Sequence, residues 1–424
     1  MIAMLLLAVL GAQEAATPEQ ATWCSGIADI IEAHCVSCHH DGGESPFALQ
    51  TLEAVQRRST FVAEVIRTRV MPPTPVHGGL VAHAGGLTDG QRALVLTWIE
   101  SGAPKGDCDR TLPSPEAPSL GLLHSVTHGS SWTVPAEGGR NWGRRMRDKR
   151  TFVLPLGNAT PLQVVGITHH TSAPNVVHAV SYAVDNQGRA RWLDEREAGE
   201  GYRMLGDVGW TPSGALGATG VGARTVRLPD GFHWEVPANA DLVAETHFRP
   251  DGREHELQER VDLLLGDNDD SRVVQPFLSM VRNLDIAVDT TETVHDELVL
   301  EQDIDLVALF PRATGVCTAL SMEAITPEGT TIELARIDDW DPHWRQLFVL
   351  PEAVRLSAGT RLRGSWTVAN TAANPRNPFL PLEPYSVAHR TGAVAWVVHA
   401  AAADPTEDGR LQAWGLQALR QRQR

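Results

Sequence analysis

The sequence has little positive charge for a chain of 424 residues. Lysine and arginine total 36 against 52 aspartates and glutamates, which gives a net charge of −16 at pH 7. A strongly acidic protein repels the phosphates of nucleic acids and of anionic membrane surfaces. We therefore expect neither kind of partner. One cluster of basic residues comprises Arg144, Arg145, Arg147, Lys149 and Arg150. We predict that it forms a solvated turn. The alternative is that it docks an acidic redox partner.

The sequence also lacks an apolar run of the roughly 20 residues that a membrane-spanning helix needs. The N-terminal apolar run, from Met1 to Gly11, is cut short by Gln13 and Glu14. Small residues follow the run, as they do at the cleavage site of a secretory signal peptide, although no positively charged residue precedes it. We therefore predict a signal peptide over residues 1–16 and no transmembrane segment beyond it.

Several catalytic motifs are missing as well. The chain has no Gly-x-Ser-x-Gly elbow, no Walker phosphate loop, no His-Glu-x-x-His pair and no dinucleotide-binding glycine set after a strand. These motifs supply the nucleophile, the phosphate cradle or the zinc ligands that their chemistries require. No such constellation competes with the motif described next.

Only five cysteines are present, yet two of them form the most informative motif of the chain. Cys35-Val36-Ser37-Cys38-His39 has the Cys-x-x-Cys-His spacing at which c-type haem is attached. The two thiols form thioethers with one porphyrin, and the adjacent imidazole of His39 is then the proximal ligand of the iron. The alternative is half of a zinc site, but zinc needs a second ligand pair, and the other cysteines are scattered singly. We therefore predict haem c.

A donor for the opposite side of the iron occurs downstream. Met71 precedes two prolines, which stop the preceding helix and hold the backbone extended. Its thioether would complete His/Met ligation, which raises the iron potential and favours electron transfer over oxygen binding. Two alternatives stay open. Met71 fills a gap in the core, or the distal donor is one of the nearby histidines His34, His40, His77 and His83.

Apolar residues at three- and four-residue spacing frame these ligands and predict three helices. The patterns cover residues 27–34, 55–66 and 94–99. Thr88 is a plausible N-cap of the third helix, and Gly102 ends it. The front of the chain is therefore predicted to be a small all-α domain.

Residues 22–109 resemble the small cytochrome c domains at the front of many multidomain bacterial secreted oxidoreductases. The resemblance rests on CVSCHHDGG, SPFALQT, the MPP triplet and TWIESGAPKGD. It implies a periplasmic or secreted bacterial protein, because haem c is attached outside the cytoplasm. In that oxidising compartment Cys24 and Cys108, which flank the domain, are a candidate disulfide. Cys317 is then left over, unless it pairs with one of them.

Helical periodicity nearly vanishes beyond residue 112. Prolines and glycines mark residues 113–148 as a linker that includes the first strand of the next domain. Short β-branched runs between turn residues follow, which is typical of antiparallel sandwiches. These runs cover residues 151–154, 162–168, 176–184, 241–247, 260–265, 298–309, 330–334 and 361–368.

Most of residues 149–400 resembles the bacterial branch of the copper type II, ascorbate-dependent monooxygenases, which include peptidylglycine and dopamine hydroxylating enzymes. The phrases that carry the resemblance include KRTFVLP, NVVHAVSYAVDNQGRARWLD, DLVAETHFRPDG and NTAANPRNP. The family implies two jelly-roll-like β-sandwiches, each of which holds one copper, with O2 activated at the second copper.

The predicted fold class is therefore multidomain, with a small all-α cytochrome c domain followed by all-β tandem jelly-roll-like sandwiches. The predicted order is a signal peptide (1–16), the cytochrome c domain (17–112), the linker (113–148), the first sandwich (149–275), the second sandwich (276–402) and a polar C-terminal tail (403–424).

The family's ligands for the first copper are partly present. They are an adjacent His-His pair and a later His that precedes an aromatic residue. His178 matches the first of the pair and Ala179 replaces the second, whereas His247, which precedes Phe248, matches the later ligand. The resemblance thus implies a possible copper site, as a remnant, at His178 and His247.

The second copper site is predicted to be lost. The family's Pro-His-x-His motif falls on Pro311-Arg312-Ala313-Thr314, and residues 391–399 lack the expected methionine. An arginine side chain is a permanent cation and does not bind copper. Arg312 would instead bind a carboxylate or another anion.

His169 and His170 offer another route to a metal site. They precede a predicted turn, and a hairpin between the flanking strands would place His169 opposite His178. A copper site of His169 or His170 with His178 and His247 is one hypothesis. The other, which we favour, is that both are polar residues at a strand end, because sequence does not fix strand register.

Three functional hypotheses follow, ranked in this order. The first is an exported c-type cytochrome that exchanges one electron with a redox partner protein or a small electron carrier, fused to a copper-monooxygenase-like module without its oxygen-activating site. The second is an active copper monooxygenase with the haem domain as electron donor, which the lost His-x-His disfavours. The third is a non-redox binding scaffold, in which haem attachment would have no use. None of the three predicts an oligomeric state.

Overall fold

The structure, a computed structural model, describes residues 21–43, 45, 47–72, 76, 78–81, 86–114, 122–128, 131–137, 149–204, 208, 210, 212–220, 224–268, 270–282, 284–342, 344–377, 379, 381–386 and 394–422. The predicted signal peptide, residues 1–16, lies outside this set. So do His77 and His83, two of the alternative iron ligands, and Arg144, Arg145 and Arg147 of the basic cluster.

Contacts divide the chain into two compact units. The described residues of the first unit are 21–43, 47–72 and 87–114. The second unit contains residues 45, 76, 78–81 and 86, and all described residues from 122 onwards. Residues 76–86 are thus grouped with the second unit, although the sequence places them within the predicted cytochrome range 17–112. No helix in the described part of the chain is long and apolar enough to cross a membrane.

The first unit is helical, with α1 over Ile27–His34, α2 over Leu52–Gln56, α3 over Ser59–Arg67 and α4 over Asp89–Glu100. The first and third predicted helices are confirmed. The second is wrong as one helix, because Arg58 leaves the helical conformation, with φ −119° and ψ 10°, and separates α2 from α3.

Two tryptophans lie at the centre of the first unit. Trp23 and Trp98 are fully buried, and their ring centroids are 6.3 Å apart. The indole N–H of Trp23 donates to the carbonyl of Arg110 (3.1 Å), and that of Trp98 donates to the carbonyl of Pro104 (3.0 Å). Both large rings are therefore buried without leaving a polar atom unpaired.

The second unit consists mainly of β-strands. In chain order they are β1 Leu123–Thr127, β2 Trp132–Val134, β3 Lys149–Pro155, β4 Leu162–Thr171, β5 Val177–Asp185, β6 Gly214–Gly220, β7 Thr225–Arg227, β8 Phe232–Val236, β9 Asp241–Phe248, β10 His255–Leu257, β11 Glu259–Leu265, β12 Arg272–Val273, β13 Gln275–Val281, β14 Asp285–Ile286, β15 Thr290–Val299, β16 Ile304–Arg312, β17 Cys317–Ile325, β18 Thr331–Ile337, β19 Phe348–Leu356, β20 Arg361–Asn370, β21 Tyr385–Ser386 and β22 Val394–Ala402. Its helices are α5 Arg189–Asp194, a 3₁₀ turn Pro405–Glu407 and α6 Asp408–Arg422.

The first sandwich packs two sheets against each other. One has the order β1-β11-β4-β8-β12, with β7 also paired to β4, and the other has the order β3-β9-β5-β6. Inward side chains of both sheets form one core, with Phe152 and Val180 from the second sheet and Ile167 and Trp234 from the first. Among the described strands of this sandwich the pairings are antiparallel, apart from β8 with β12, which is parallel.

The second sandwich has the sheets β13-β22-β16-β19 and β15-β20-β17-β18. Strand β22 is buried along its whole length. One face of β22 belongs to the core of the second sandwich, whereas Val397 and Ala401 on its other face join the core of the first. A strand that is covered on both faces needs no polar alternation, which explains the continuous apolar sequence of Val394–Ala402.

Most of the predicted strands are confirmed to within a few residues. The exception is the run 298–309, where the structure has β15 and β16 separated by residues 300–303. In this turn Leu300 donates a backbone hydrogen bond to Thr360 and Asp303 accepts one from Ala403, so the chain leaves one sheet for the other. Strand β13 begins the second sandwich at Gln275, next to the predicted boundary of 275.

Candidate functional site

The Cys-x-x-Cys-His motif begins where α1 ends. The apolar face of α1, which includes Ile27, Ile30 and Ile31, is buried in the core of the first unit and fixes the helix. Cys35 caps the helix through its backbone N–H to the Ile31 carbonyl (2.9 Å). The backbone N–H of His39 donates to the Cys35 carbonyl (2.9 Å), which closes a tight turn over the motif. Both thiols and the imidazole are thereby brought onto one short loop.

The ring of His39 is oriented by a backbone carbonyl. Its Nδ1 lies 3.0 Å from the carbonyl oxygen of Phe47, and the two rings are in contact with centroids 4.7 Å apart. A carbonyl only accepts, so Nδ1 carries the proton and Nε2 keeps its lone pair. Burial lowers the pKa of His39, while the bond to Phe47 acts in the opposite direction. The imidazole is therefore neutral near pH 7, as a metal ligand must be.

The two cysteines of the motif are reduced and form no disulfide. Cys35 and Cys38 are half-buried and are not bonded to each other. Burial, together with the neighbouring Cys38, raises the pKa of Cys35 to about 12. The predicted disulfide is confirmed between Cys24 and Cys108, whose Cα atoms are 5.8 Å apart. Cys317 is buried in the second sandwich as a free thiol and pairs with neither.

Met71 follows the C-terminus of α3 and is half-buried. Its backbone N–H donates to the Val65 carbonyl (3.0 Å), which holds the start of the loop against the last turn of the helix. Of the alternative donors, His40 has its Nδ1 2.9 Å from the Val36 carbonyl. Met71 and His39 both belong to the first unit.

The residues of the first unit fit a c-type haem. Two reduced thiols and a neutral histidine with a carbonyl on Nδ1 are the donor set that thioether attachment and iron ligation require. Phe47 was missed in the sequence as a positioning residue. No sequence signal assigns a backbone carbonyl to a histidine eight residues earlier, because the loop between them sets the contact.

His178 and His247 lie on adjacent strands of the first sandwich, β5 and β9. His247 is opposite Ala179, and His178 is at the bulge between the paired residues Val177 and Ala179. Both side chains are buried. The structure therefore brings the two predicted remnant ligands into the same region of one sheet.

His247 is part of a buried cluster of charges. Its Nε2 lies 2.9 Å from a carboxylate oxygen of Glu245 and 3.3 Å from a guanidinium nitrogen of Arg345. Glu245 also accepts from Lys149 (2.7 Å) and lies 3.6 Å from Arg312. The ion pair of Arg312 with Glu245 agrees with the prediction that Arg312 binds a carboxylate or another anion. Burial alone would raise the pKa of Glu245, but Lys149, His247 and Arg312 hold it well below its ordinary value.

The charge cluster does not fit a copper ion. Burial and the charge of Arg345 lower the pKa of His247 to about 3, against the opposing effect of Glu245. The Nε2 atom of His247 faces a carboxylate and a guanidinium, and the guanidinium is a permanent cation that disfavours a metal ion at this atom. Lys149 and Arg345 were not recognised as site residues in the sequence. The prediction of a solvated turn at Lys149 and Arg150 is wrong, because both side chains are buried on β3.

The hairpin that would bring His169 opposite His178, the less favoured of the two hypotheses, does not form. Strands β4 and β5 belong to different sheets, because each pairs with other strands, β4 with β11 and β5 with β9. His169 is buried with its Nε2 3.0 Å from Glu259, and the Nε2 of His170 lies 2.7 Å from Asp262. Within the described residues no group of three or more His, Cys, Asp or Glu side chains has the arrangement of a metal site.

Comparisons with known proteins give no family. No family model and no curated protein matches the chain. Similar solved structures include PNGF-II (TM-score 0.31, 9% identity, 66% of this chain), PNGase F (0.30, 11%, 67%) and the major capsid protein P2 of bacteriophage PM2 (0.28, 8%, 66%). The matches span 65%, 96% and 97% of those chains. All three TM-scores are below 0.5, so we draw neither fold nor function from them.

Proposed function

We propose that the first unit is an exported c-type cytochrome that transfers one electron. Cys35 and Cys38 would hold haem c through thioethers, His39 would be its proximal ligand and Met71 its distal ligand. Such an iron alternates between the ferric and ferrous states, which supplies one-electron chemistry. The partner would be a redox protein or a small electron carrier.

The observation that carries this proposal is the bond between His39 and Phe47. A Cys-x-x-Cys-His sequence alone predicts attachment, whereas the Nδ1 to carbonyl distance of 3.0 Å adds the correct tautomer for ligation through Nε2. The guanidinium of Arg58 lies over the ring of Phe47, 4.5 Å from its centre. This arrangement fixes the loop that presents the carbonyl.

We further propose that the sandwiches form a copper-monooxygenase-like module without an oxygen-activating site. In support, Arg312 stands where the resemblance expects a histidine, and it lies 3.6 Å from Glu245. Arg345 lies beside Nε2 of His247, where its permanent positive charge disfavours a copper ion. The module is then a binding or docking element attached to the cytochrome.

The test uses the full chain, produced in a host that matures c-type cytochromes. We expect a reduced α-band typical of haem c and a high potential. Met71→Ala should lower the potential, because the thioether favours the ferrous state, and should let CO bind the iron. Met280→Ala, on β13 of the second sandwich, is the matched control and should change neither property.

Two outcomes would contradict parts of the proposal. A Met71→Ala protein with an unchanged spectrum and potential would place the distal ligand elsewhere. Two tightly bound coppers per chain after copper loading would show that the sandwiches keep both metal sites, in favour of an active monooxygenase.

A further inference from the structure

An arginine of the first unit lies close to the proposed proximal ligand. The guanidinium carbon of Arg58 is 4.5 Å from the centre of the Phe47 ring, and the centre of that ring is 4.7 Å from the centre of the His39 imidazole. All three residues belong to the first unit. One aromatic ring thus links the guanidinium to the imidazole that would bind the iron.

The backbone between α2 and α3 fixes the position of Arg58. Its backbone N–H donates to the carbonyl of Val55 (3.0 Å), which is fully buried in the core of the first unit. One guanidinium nitrogen donates to the carbonyl of Ala54 (3.4 Å), and the side chain is half-buried. A guanidinium that lies over an aromatic ring is attracted to the ring. These contacts hold the charged group against Phe47.

The charge of Arg58 is not neutralised by a neighbouring carboxylate. Arg67 and Arg69 of the same unit form ion pairs with carboxylates, each with an N to O distance of 3.0 Å. Arg58 forms no such pair within the part of the chain that the structure describes, where its guanidinium contacts a ring and a carbonyl instead. A guanidinium stays protonated at any working pH. A full positive charge therefore remains beside the Phe47 ring.

A fixed positive charge near an iron ion favours the reduced state of the iron. Ferric iron carries one more positive charge than ferrous iron, so a nearby cation repels the ferric state more strongly. The repulsion falls only with the first power of distance and is larger where protein replaces water. A half-buried guanidinium one ring away from the proximal imidazole meets both conditions.

From this arrangement we infer that Arg58 raises the reduction potential of the haem iron by holding its positive charge beside the proximal ligand His39. The inference rests on the proposed function, because it requires His39 to bind haem iron. Methionine ligation also raises the potential, and Arg58 adds to that effect. The oxidised first unit is then a stronger acceptor of one electron from its partner.

The experiment is a redox titration of the α-band in the haem-loaded full chain. Arg58→Gln removes the charge and should lower the potential. At a fixed ambient potential the ratio of ferric to ferrous iron should rise roughly three- to tenfold, by Coulomb's law with an effective dielectric constant of about 20. A tenfold change corresponds to about 59 mV for one electron. Arg58→Lys keeps a cation that can also lie over Phe47, so it should stay close to the wild type.

Two further variants separate the charge from the packing. Arg58→Leu keeps an apolar contact with the Phe47 ring but has no charge, so its potential should fall as in Arg58→Gln. Arg57→Gln is the matched control, because it removes the same charge from the adjacent residue, which is exposed. Solvent screens an exposed charge, so this variant should keep the wild-type potential.

Three results would overturn the inference. The first is a wild-type potential in Arg58→Gln. The second is a potential in Arg58→Lys as low as in Arg58→Gln, because the geometry of the arginine and not its charge would then matter. The third is loss of covalent haem in both neutral variants of Arg58, which would show that the residue is needed for the fold of the site.

Failure of the proposed function gives a different result. If the wild-type chain carries no covalent haem, the cytochrome itself is wrong and the inference falls with it. If the wild type carries haem c and Arg58→Gln matches its potential, the cytochrome stands and only the role of Arg58 is wrong.

Discussion

His399 shows how a single buried residue couples the two sandwiches. It is fully buried on β22, and its Nδ1 accepts a hydrogen bond of 3.2 Å from the indole of Trp234 on β8. Burial lowers the pKa of His399 from 6.5 to about 3. The folded protein therefore keeps this imidazole neutral over the range where an unfolded chain takes up a proton.

This difference predicts a loss of stability in weak acid. The contribution of His399 is complete above pH 6.5 and falls as the pH drops towards about 3, because only the unfolded state binds the proton. Between pH 7 and pH 5 the free energy of unfolding should fall by about 2 kcal/mol from this residue alone. His399→Gln keeps a hydrogen-bond acceptor and should remove that part of the pH dependence, measured by urea unfolding of the sandwiches.

A matched control is available on the surface. His295 is exposed on β15 and contacts Ser365, so His295→Gln should leave the pH dependence of unfolding as in the wild type. An unchanged pH dependence in His399→Gln would show that His399 is not held neutral by burial.

At the scale of residues, a site whose members are adjacent in the sequence could be predicted. Contacts that form only when distant segments pack together could not. Cys35, Cys38 and His39 are adjacent in sequence, so the local chain brings them together whatever the fold. Phe47 and Arg345 contact their histidines only because distant segments fold beside them. The sequence contains no local signal for such contacts.

Helix α4 shows an element whose start is encoded by its own side chains. The hydroxyl of Thr88 accepts from the backbone N–H of Gln91 (3.1 Å), and the Gln91 side chain accepts from the backbone N–H of Thr88 (2.9 Å). This capping box satisfies two donors at the end of the helix that would otherwise be unpaired. The N-cap predicted at Thr88 is therefore confirmed.

Thr88→Ala should lower the free energy of unfolding of the first unit by about 1 kcal/mol, because an N-cap hydroxyl is lost. Denaturant unfolding followed by helical circular dichroism measures the change. Thr88→Ser keeps the hydroxyl and should remain close to the wild type. Equal stability of the alanine and serine variants would contradict a role for this cap.

Elements with strong local signals were thus predictable, but their partners were not. The strand predicted at 162–168 is present, yet it lies in a different sheet from the strand at 176–184, so the hairpin of the disfavoured hypothesis does not form. Which strands pair with each other depends on which of their faces are buried together in the folded protein. The split between α2 and α3 likewise depends on one backbone conformation, at Arg58, and not on hydrophobic spacing.

At the scale of the whole molecule, the order of a helical part followed by β-sandwiches agrees with the sequence. The division between units does not follow the chain continuously, because residues 76–81 lie with the second sandwich. Val76, Gly78, Gly79 and Val81 carry that contact, and such residues have no distinctive pattern in the sequence. A prediction that gives each domain one continuous range of residues therefore could not reveal this contact.

The central claim is that Cys35 and Cys38 attach haem covalently, and the intact mass of the full chain tests it most directly. The protein is produced in a host that matures c-type cytochromes and is denatured before measurement, so that only a covalently bound group remains. The account predicts the mass of the processed chain plus one haem. It also predicts no added haem when Cys35→Ser and Cys38→Ser are combined, whereas Cys317→Ser should keep it. A wild-type chain without added haem, or a double-serine chain that retains it, would contradict the account.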